Sequence, residues 1–160
     1  MYLILTDGTQ LNHIGATGGT KYIQGANRDT ITFEFDESYS VDELRNVFTE
    51  QNCEVINIVT DDVVETQTEN EDGSVETKTE TVYTNNYHEG YVIRAEVAEK
   101  IKEITPATGT TPTVTETRVF VTMAQRTYAE TRLAVLNAQN EEMAATLDSV
   151  LTDVIPSLMV

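Results

Sequence analysis

The sequence predicts a mainly β domain of the α+β class: an antiparallel, sandwich-like unit with one short helix, followed by a long C-terminal helix of coiled-coil type. Three observations predict it. Short runs before residue 126, such as "DTITFEF" and "VTETRVFVTMA", alternate apolar with polar residues, the period of strands with one buried face. One segment, "SYSVDELRNVFTEQN", switches to helical spacing behind a capping signal. The ending, "TYAETRLAVLNAQNEEMAATLDSVLTDVIPSLMV", sets its apolar residues three and four apart, as a helical seam does. The expected division is a β-rich domain over 1–126 and an oligomerisation helix over 127–160.

Taken in order, "YLILT", "DG" and "TQLNHI" read as two strands around a tight turn, because Asp-Gly suits a backbone that must take positive φ. The Gly-rich "GATGG" reads as a loop. In "DTITFEF", Ile31, Phe33 and Phe35 share one face and Thr30, Thr32 and Glu34 the other, so this strand is expected to be half buried.

A short helix is expected over about 41–50. Ser40 and Glu43 have capping-box spacing, Tyr39 and Leu44 stand where a hydrophobic staple would, and Val41, Leu44, Val47 and Phe48 form one stripe. "CEVINIVT" then supplies a strand for that stripe to lie on.

Residues 61–84 predict an acidic hairpin. Between 61 and 80 stand eight acids against one base, Lys78, a local formal charge of −7. "NEDGS" is expected to turn with Gly73 at the left-handed position, setting Thr66 and Thr68 across from Thr77, Thr79 and Thr81. Glu65, Gln67, Glu69, Glu76, Lys78 and Glu80 would then form the other face. A ribbon polar on both faces belongs in solvent or against a partner. Its "NEDG" lacks the alternating carboxylates and closing Glu of a calcium loop.

"YVIRAEVAEKIKEIT" is ambiguous between strand and helix. The loop "PATGTTPT" and the alternating Val119, Val121 and Met123 behind it favour a long hairpin, with a helical turn near 97–102 as the alternative.

In the ending, Thr127 and Glu130 form a capping box and Pro156 closes the helix. Leu133, Asn140, Leu147 and Val154 take heptad position a, while Ala129, Leu136, Met143 and Val150 take d. Glu141, Glu142 and Asp148 lie away from the seam. An asparagine inside such a seam costs stability and selects one register and strand number. The plainer alternative lays this helix on its own domain's sheet.

With 27 acidic and 10 basic residues the formal charge is −17, which repels phosphates and anionic lipid. No nucleic acid or membrane partner is expected. "MYLILTDGTQ" lacks the basic start and apolar run of a secretion signal, and no stretch is long and apolar enough to span a bilayer. The chain is therefore expected to be made in the cytoplasm. The lone Cys53 permits no internal disulfide and is expected to be a small buried hydrophobe.

In layout, the "YLILTDG" start, the "YHEGY" strand leading into a hairpin, and the terminal "RLAVLNAQNEEMAATLDSVL" resemble small proteins from the tail-gene region of tailed bacteriophages and prophages of Gram-positive bacteria. That resemblance implies a structural tail or baseplate component of a virion, present in symmetric copies. Its helix would form a homotrimer, whereas the asparagine at a leans towards a dimer, or it would plug into neighbouring tail proteins. It brings no catalytic residue with it.

No catalytic signature stands in the sequence independently of that resemblance. His13 and His88 fit no metal-ligand spacing and read as surface or turn histidines. "GATGGTKYIQG" lacks the spacing and following helix of a phosphate loop. No cofactor or metal is expected. The leading expectation is a non-enzymatic assembly protein associating through Leu133, Leu136, Asn140, Met143, Leu147, Val150 and Val154. The alternative is an acidic module that grips a basic protein, or mimics DNA charge, through Glu65, Glu69, Glu76 and Glu80. The third and weakest is a small hydrolase using carboxylates the sequence does not single out.

Overall fold

A computed structural model describes residues 1–69, 75–106 and 113–155. Backbone pairing begins at once: β1 (Tyr2–Ile4) and β2 (Gln10–Asn12) run antiparallel with Leu3 opposite Leu11. The expected Asp-Gly turn joins them. Asp7 Oδ1 accepts from Thr9 N at 2.9 Å, and Gly8 takes φ +85°, where a Cβ would strain the backbone.

The Gly-rich segment corrects the first reading. It is no loop but a strand, β3 (Gly15–Ile23), paired without interruption to β4 (Ala26–Phe35) from Gly15↔Glu34 to Ile23↔Ala26. Glycine is a poor strand former, yet β4 offers a continuous ladder of main-chain partners, and an edge position asks for little side-chain packing. Along β4, Ile31, Phe33 and Phe35 are buried as their alternation predicts.

Helix α1 (Val41–Val47) is capped by Ser40, whose hydroxyl accepts from Glu43 N at 3.1 Å. It stops at Phe48, earlier than the periodicity implies. Arg94 explains the stop. Its guanidinium donates to the carbonyls of Arg45 and Phe48, satisfying orphan acceptors that another turn would have used.

β5 (Val55–Glu69) and β6 (Val75–Glu89) form a long antiparallel ribbon, and β7 (Ile93–Thr105) and β8 (Val114–Ala124) a second. The strand reading of 93–105 therefore wins over the helical turn near 97–102. The turn expected at "NEDGS", most of the loop "PATGTTPT" and the tail after Ile155 lie outside the described residues.

Two four-stranded antiparallel sheets result, ordered β2-β1-β5-β6 and β3-β4-β8-β7. Their inner rows share one core. Leu3, Leu11, Ile56 and Ile58 come from the first sheet, Ile31, Phe33, Phe35, Val119, Val121 and Met123 from the second, with Leu44, Phe48 and Cys53 between. Phe48 meets Phe33 and Phe35 at centroid separations of 5.8 and 5.9 Å. Each fully buried ring contributes roughly 1.5–3 kcal/mol from burial alone. Burial pushes the Cys53 thiol up to about 12, so it remains a protonated core residue.

The chain divides into two units, Met1–Gln125 and Arg126–Val160. The second begins at α2 (Tyr128–Ser149), with both halves of the expected capping box: Thr127 Oγ1 accepts from Glu130 N at 3.3 Å, and Thr127 N donates to Glu130 Oε2 at 2.8 Å. No helix among the described residues is long and apolar enough to cross a membrane.

Candidate functional site

Five of the predicted seam residues of α2 share one face, while Val135, 44% exposed, stands on another. At about 100° per residue, Leu133, Leu136, Asn140, Met143 and Leu147 fall within roughly 80° of arc. None of α2 is buried: Leu133 is 58% exposed, Leu136 48%, Met143 69% and Leu147 60%. Asn140, Met143, Ala144, Leu147 and Val150 line one open concavity on this surface, with Glu142 and Thr146 at its edge.

The α-helical seam does not run on to Val154. Val150–Val154 is a π-helical turn in which Ile155 N bonds Val150 O, five residues back. Here the periodicity misled, since a π turn accommodates about one extra residue and rotates everything after it. The Thr152 hydroxyl donates to Asp148 O at 2.8 Å, as the Thr146 hydroxyl does to Glu142 O at 2.9 Å. Such back-bonding competes with the main-chain ladder and loosens a helix locally. Val150, the first residue of that turn, still lines the concavity with Leu147.

The acidic hairpin is present, with a register different from the expected one. Glu65 stands opposite Thr79, Gln67 opposite Thr77, Thr66 opposite Lys78 and Thr68 opposite Glu76. Directly opposed residues share a face. The register thus puts Glu65 on the face of Thr77, Thr79 and Thr81, and Glu76 and Glu80 on the face of Thr66 and Thr68. The four glutamates do not form one acidic face. A shift of one residue in the turn, which alternation alone leaves open, exchanges the faces of one strand.

Residues 61–68 and 75–87 are all exposed. The base of the ribbon carries an apolar belt the charge pattern concealed. Val63 lies diagonal to Tyr83 on one face, and Val64 diagonal to Val82 on the other.

The two histidines have different surroundings. His13 is not on the surface: it is buried, its ring edge-on to Phe33 at 5.8 Å. Desolvation, the largest cause, lowers its pKa, against a smaller opposing influence of the Gly15 backbone, and neither ring nitrogen has a hydrogen-bond partner among the described residues. His88 is half-buried, edge-on to Tyr91 at 6.0 Å. It lines a cleft of about 500 Å³ with Ala16, Gly18, Thr20, Asp29, Ile31, Ile58 and Tyr91. That is within the size of ligand sites. Burial, aided by the Asp29 charge, raises the pKa of the Tyr91 hydroxyl.

The cleft exists because the inner row of β3 is small. Ala16, Gly18 and Thr20 face the same way as the buried Ile31 and Phe33, yet all three are exposed. Sequence reasoning missed this site because it read the glycines as a loop. The clear alternation begins only at Asp29, so the glycines carry little strand signal of their own. Among the described residues, no group of three or more His, Cys, Asp or Glu is placed to hold a metal ion.

No protein family matches the chain, and no match was found among curated proteins or solved structures.

Proposed function

We propose that this chain is a non-enzymatic assembly protein that associates with copies of itself through α2, as a tail or baseplate component of a virion would. The observation that carries the reading is the exposed stripe Leu133, Leu136, Asn140, Met143, Leu147 on a helix with no buried residue. Exposed apolar side chains at heptad spacing favour association over solvation, and one polar residue among them selects a single arrangement.

Charge placement supports the same reading. In a chain of net charge −17, identical copies repel unless their acids are kept from the contact. With Leu133 at a, the e and g positions between Leu136 and Leu147 are Asn137, Gln139, Ala144 and Thr146, all uncharged, the charged flanks Glu130 and Arg132 lie at the start of the helix, and Glu141, Glu142 and Asp148 occupy b and c. The backbone pattern changes only at the π turn that begins with Val150. A homotrimer is favoured, with a dimer as the alternative. The tail or baseplate assignment, and neighbouring tail proteins as further partners, rest on the resemblance in layout.

Light scattering after size exclusion tests this with the full chain, Asn140→Leu, and the double variant Leu136→Asp, Leu147→Asp. The expected result is an oligomer for the first, a changed or mixed number for the second, and disruption of the helix-mediated oligomer in the third. A full chain that runs as a monomer at high concentration would remove the proposal. The rival reading, an acidic module for a cationic partner, predicts salt-sensitive binding that reversal at Glu65, Glu69, Glu76 and Glu80 abolishes.

A further inference from the structure

Four strands edge the two sheets, and they are not equally guarded. β2 is three residues long. β7 is interrupted by register shifts at Arg94/Glu96 and Glu103/Thr105, and Lys100 and Lys102 are paired to Glu96 and Glu34. Short length, bulges and charge are the usual ways of blunting an edge. β3 is the least guarded: nine residues, an unbroken ladder on one side, β4 as its sole strand partner among the described residues, glycine at 15, 18 and 19, and Lys21 as its one charged residue. It also lies in the one long acid-free part of the sequence. From Gly8 to Arg28 there is no Asp or Glu.

β6 is the complementary edge. Its rows differ in character: Val75, Thr77, Thr79, Thr81 and Tyr83 are uncharged, while Glu76, Lys78 and Glu80 alternate with them. A strand added to β3 presents one row to the cleft beneath Ala16, Gly18 and Thr20 and the other to the outer face, where Lys21 stands. The uncharged row suits the cleft. The Glu76 and Glu80 row suits Lys21, whose charge also reaches Glu96.

We infer that the β6 edge of one copy adds to the β3 edge of another, joining their sheets. Main-chain hydrogen bonds supply the attraction, the cleft receives the uncharged row, and the contrast between acid-free and acidic edges sets the pairing. Because two different edges meet, the contact is head-to-tail and builds a ring or a filament. This inference rests on the assembly reading above but uses a different surface, so the two can fail separately.

The test uses the full chain carrying Leu136→Asp and Leu147→Asp, which removes the helix seam. Hydrogen exchange and sedimentation are followed over a wide concentration range. Amides in Gly15–Ile23 and Val75–Tyr83 are expected to gain protection together as concentration rises. Lys21→Glu should weaken association about threefold to tenfold, and less at high salt. Gly18→Lys should abolish it, since a charge pointing into the cleft blocks an incoming strand. The substitution leaves the fold intact because a Cβ at Gly18 meets nothing within 4 Å.

Exchange independent of concentration in both segments overturns the inference. So does protection confined to β3, which would mean like edges pair, or unchanged association of Gly18→Lys. A wild-type oligomer alongside a helix variant with no such protection leaves the helix reading standing and removes this one.

Discussion

Glu65 faces Thr79 directly across the β5–β6 ladder, and that pairing puts Lys78 on the opposite face, between Glu76 and Glu80. Lys78 is the one base among eight acids in residues 61–80. Lys78→Glu would set three acids in consecutive positions of one row. A two-stranded ribbon has little stability to spare in water. The expected effect is a loss of about 0.5–1 kcal/mol in local opening free energy, seen as faster amide exchange over 75–82 with the core unchanged. Added salt should recover part of it.

Thr127 and Glu130 satisfy two of the orphan donors at the start of α2. Thr127→Ala removes the hydroxyl that accepts from Glu130 N and donates to Glu130 Oε2, while the main-chain N–H of residue 127 still donates to Glu130. The helix should lose about 1 kcal/mol at its first turn, read as reduced far-ultraviolet helicity and earlier melting. Glu130→Gln, which keeps a side-chain acceptor, should lose less.

His13 makes stability depend on pH. Its folded pKa lies below the ordinary 6.5 because burial disfavours the charged ring. The unfolded chain therefore binds more protons as pH falls through 6.5 towards the folded value. The neutral ring's contribution is present in full above 6.5 and is lost over that window on acidification. Denaturant unfolding between pH 7.5 and 5.5 should show stability falling in the wild type and a flatter profile in His13→Leu. Equal slopes would remove the assignment.

Cys53 is fully buried, and its thiol is pushed up to about 12 chiefly by desolvation. The thiolate is the reactive form. Thiol reagents at pH 8 should modify the native protein only as fast as it opens, so mild denaturant should accelerate labelling in step with unfolding. Rapid labelling of the native chain would contradict the burial.

Local pattern determined much of this protein by itself. The Asp7-Gly8 turn, the buried row Ile31, Phe33 and Phe35, the caps at Ser40 and Thr127, and the spacing of apolar residues on α2 follow from backbone preference and side-chain period. Both act over a few residues and are written in the sequence. What tertiary structure decided involved partners distant in the chain. β4 makes a strand of the glycines at 15, 18 and 19, Arg94 ends α1 at Phe48, and Phe33 shelters His13. The β5–β6 register separates Glu65 from Glu80. The π turn at Val150 escaped for a related reason: it is a small difference between two backbone hydrogen-bond patterns, and a heptad count assumes one of them throughout.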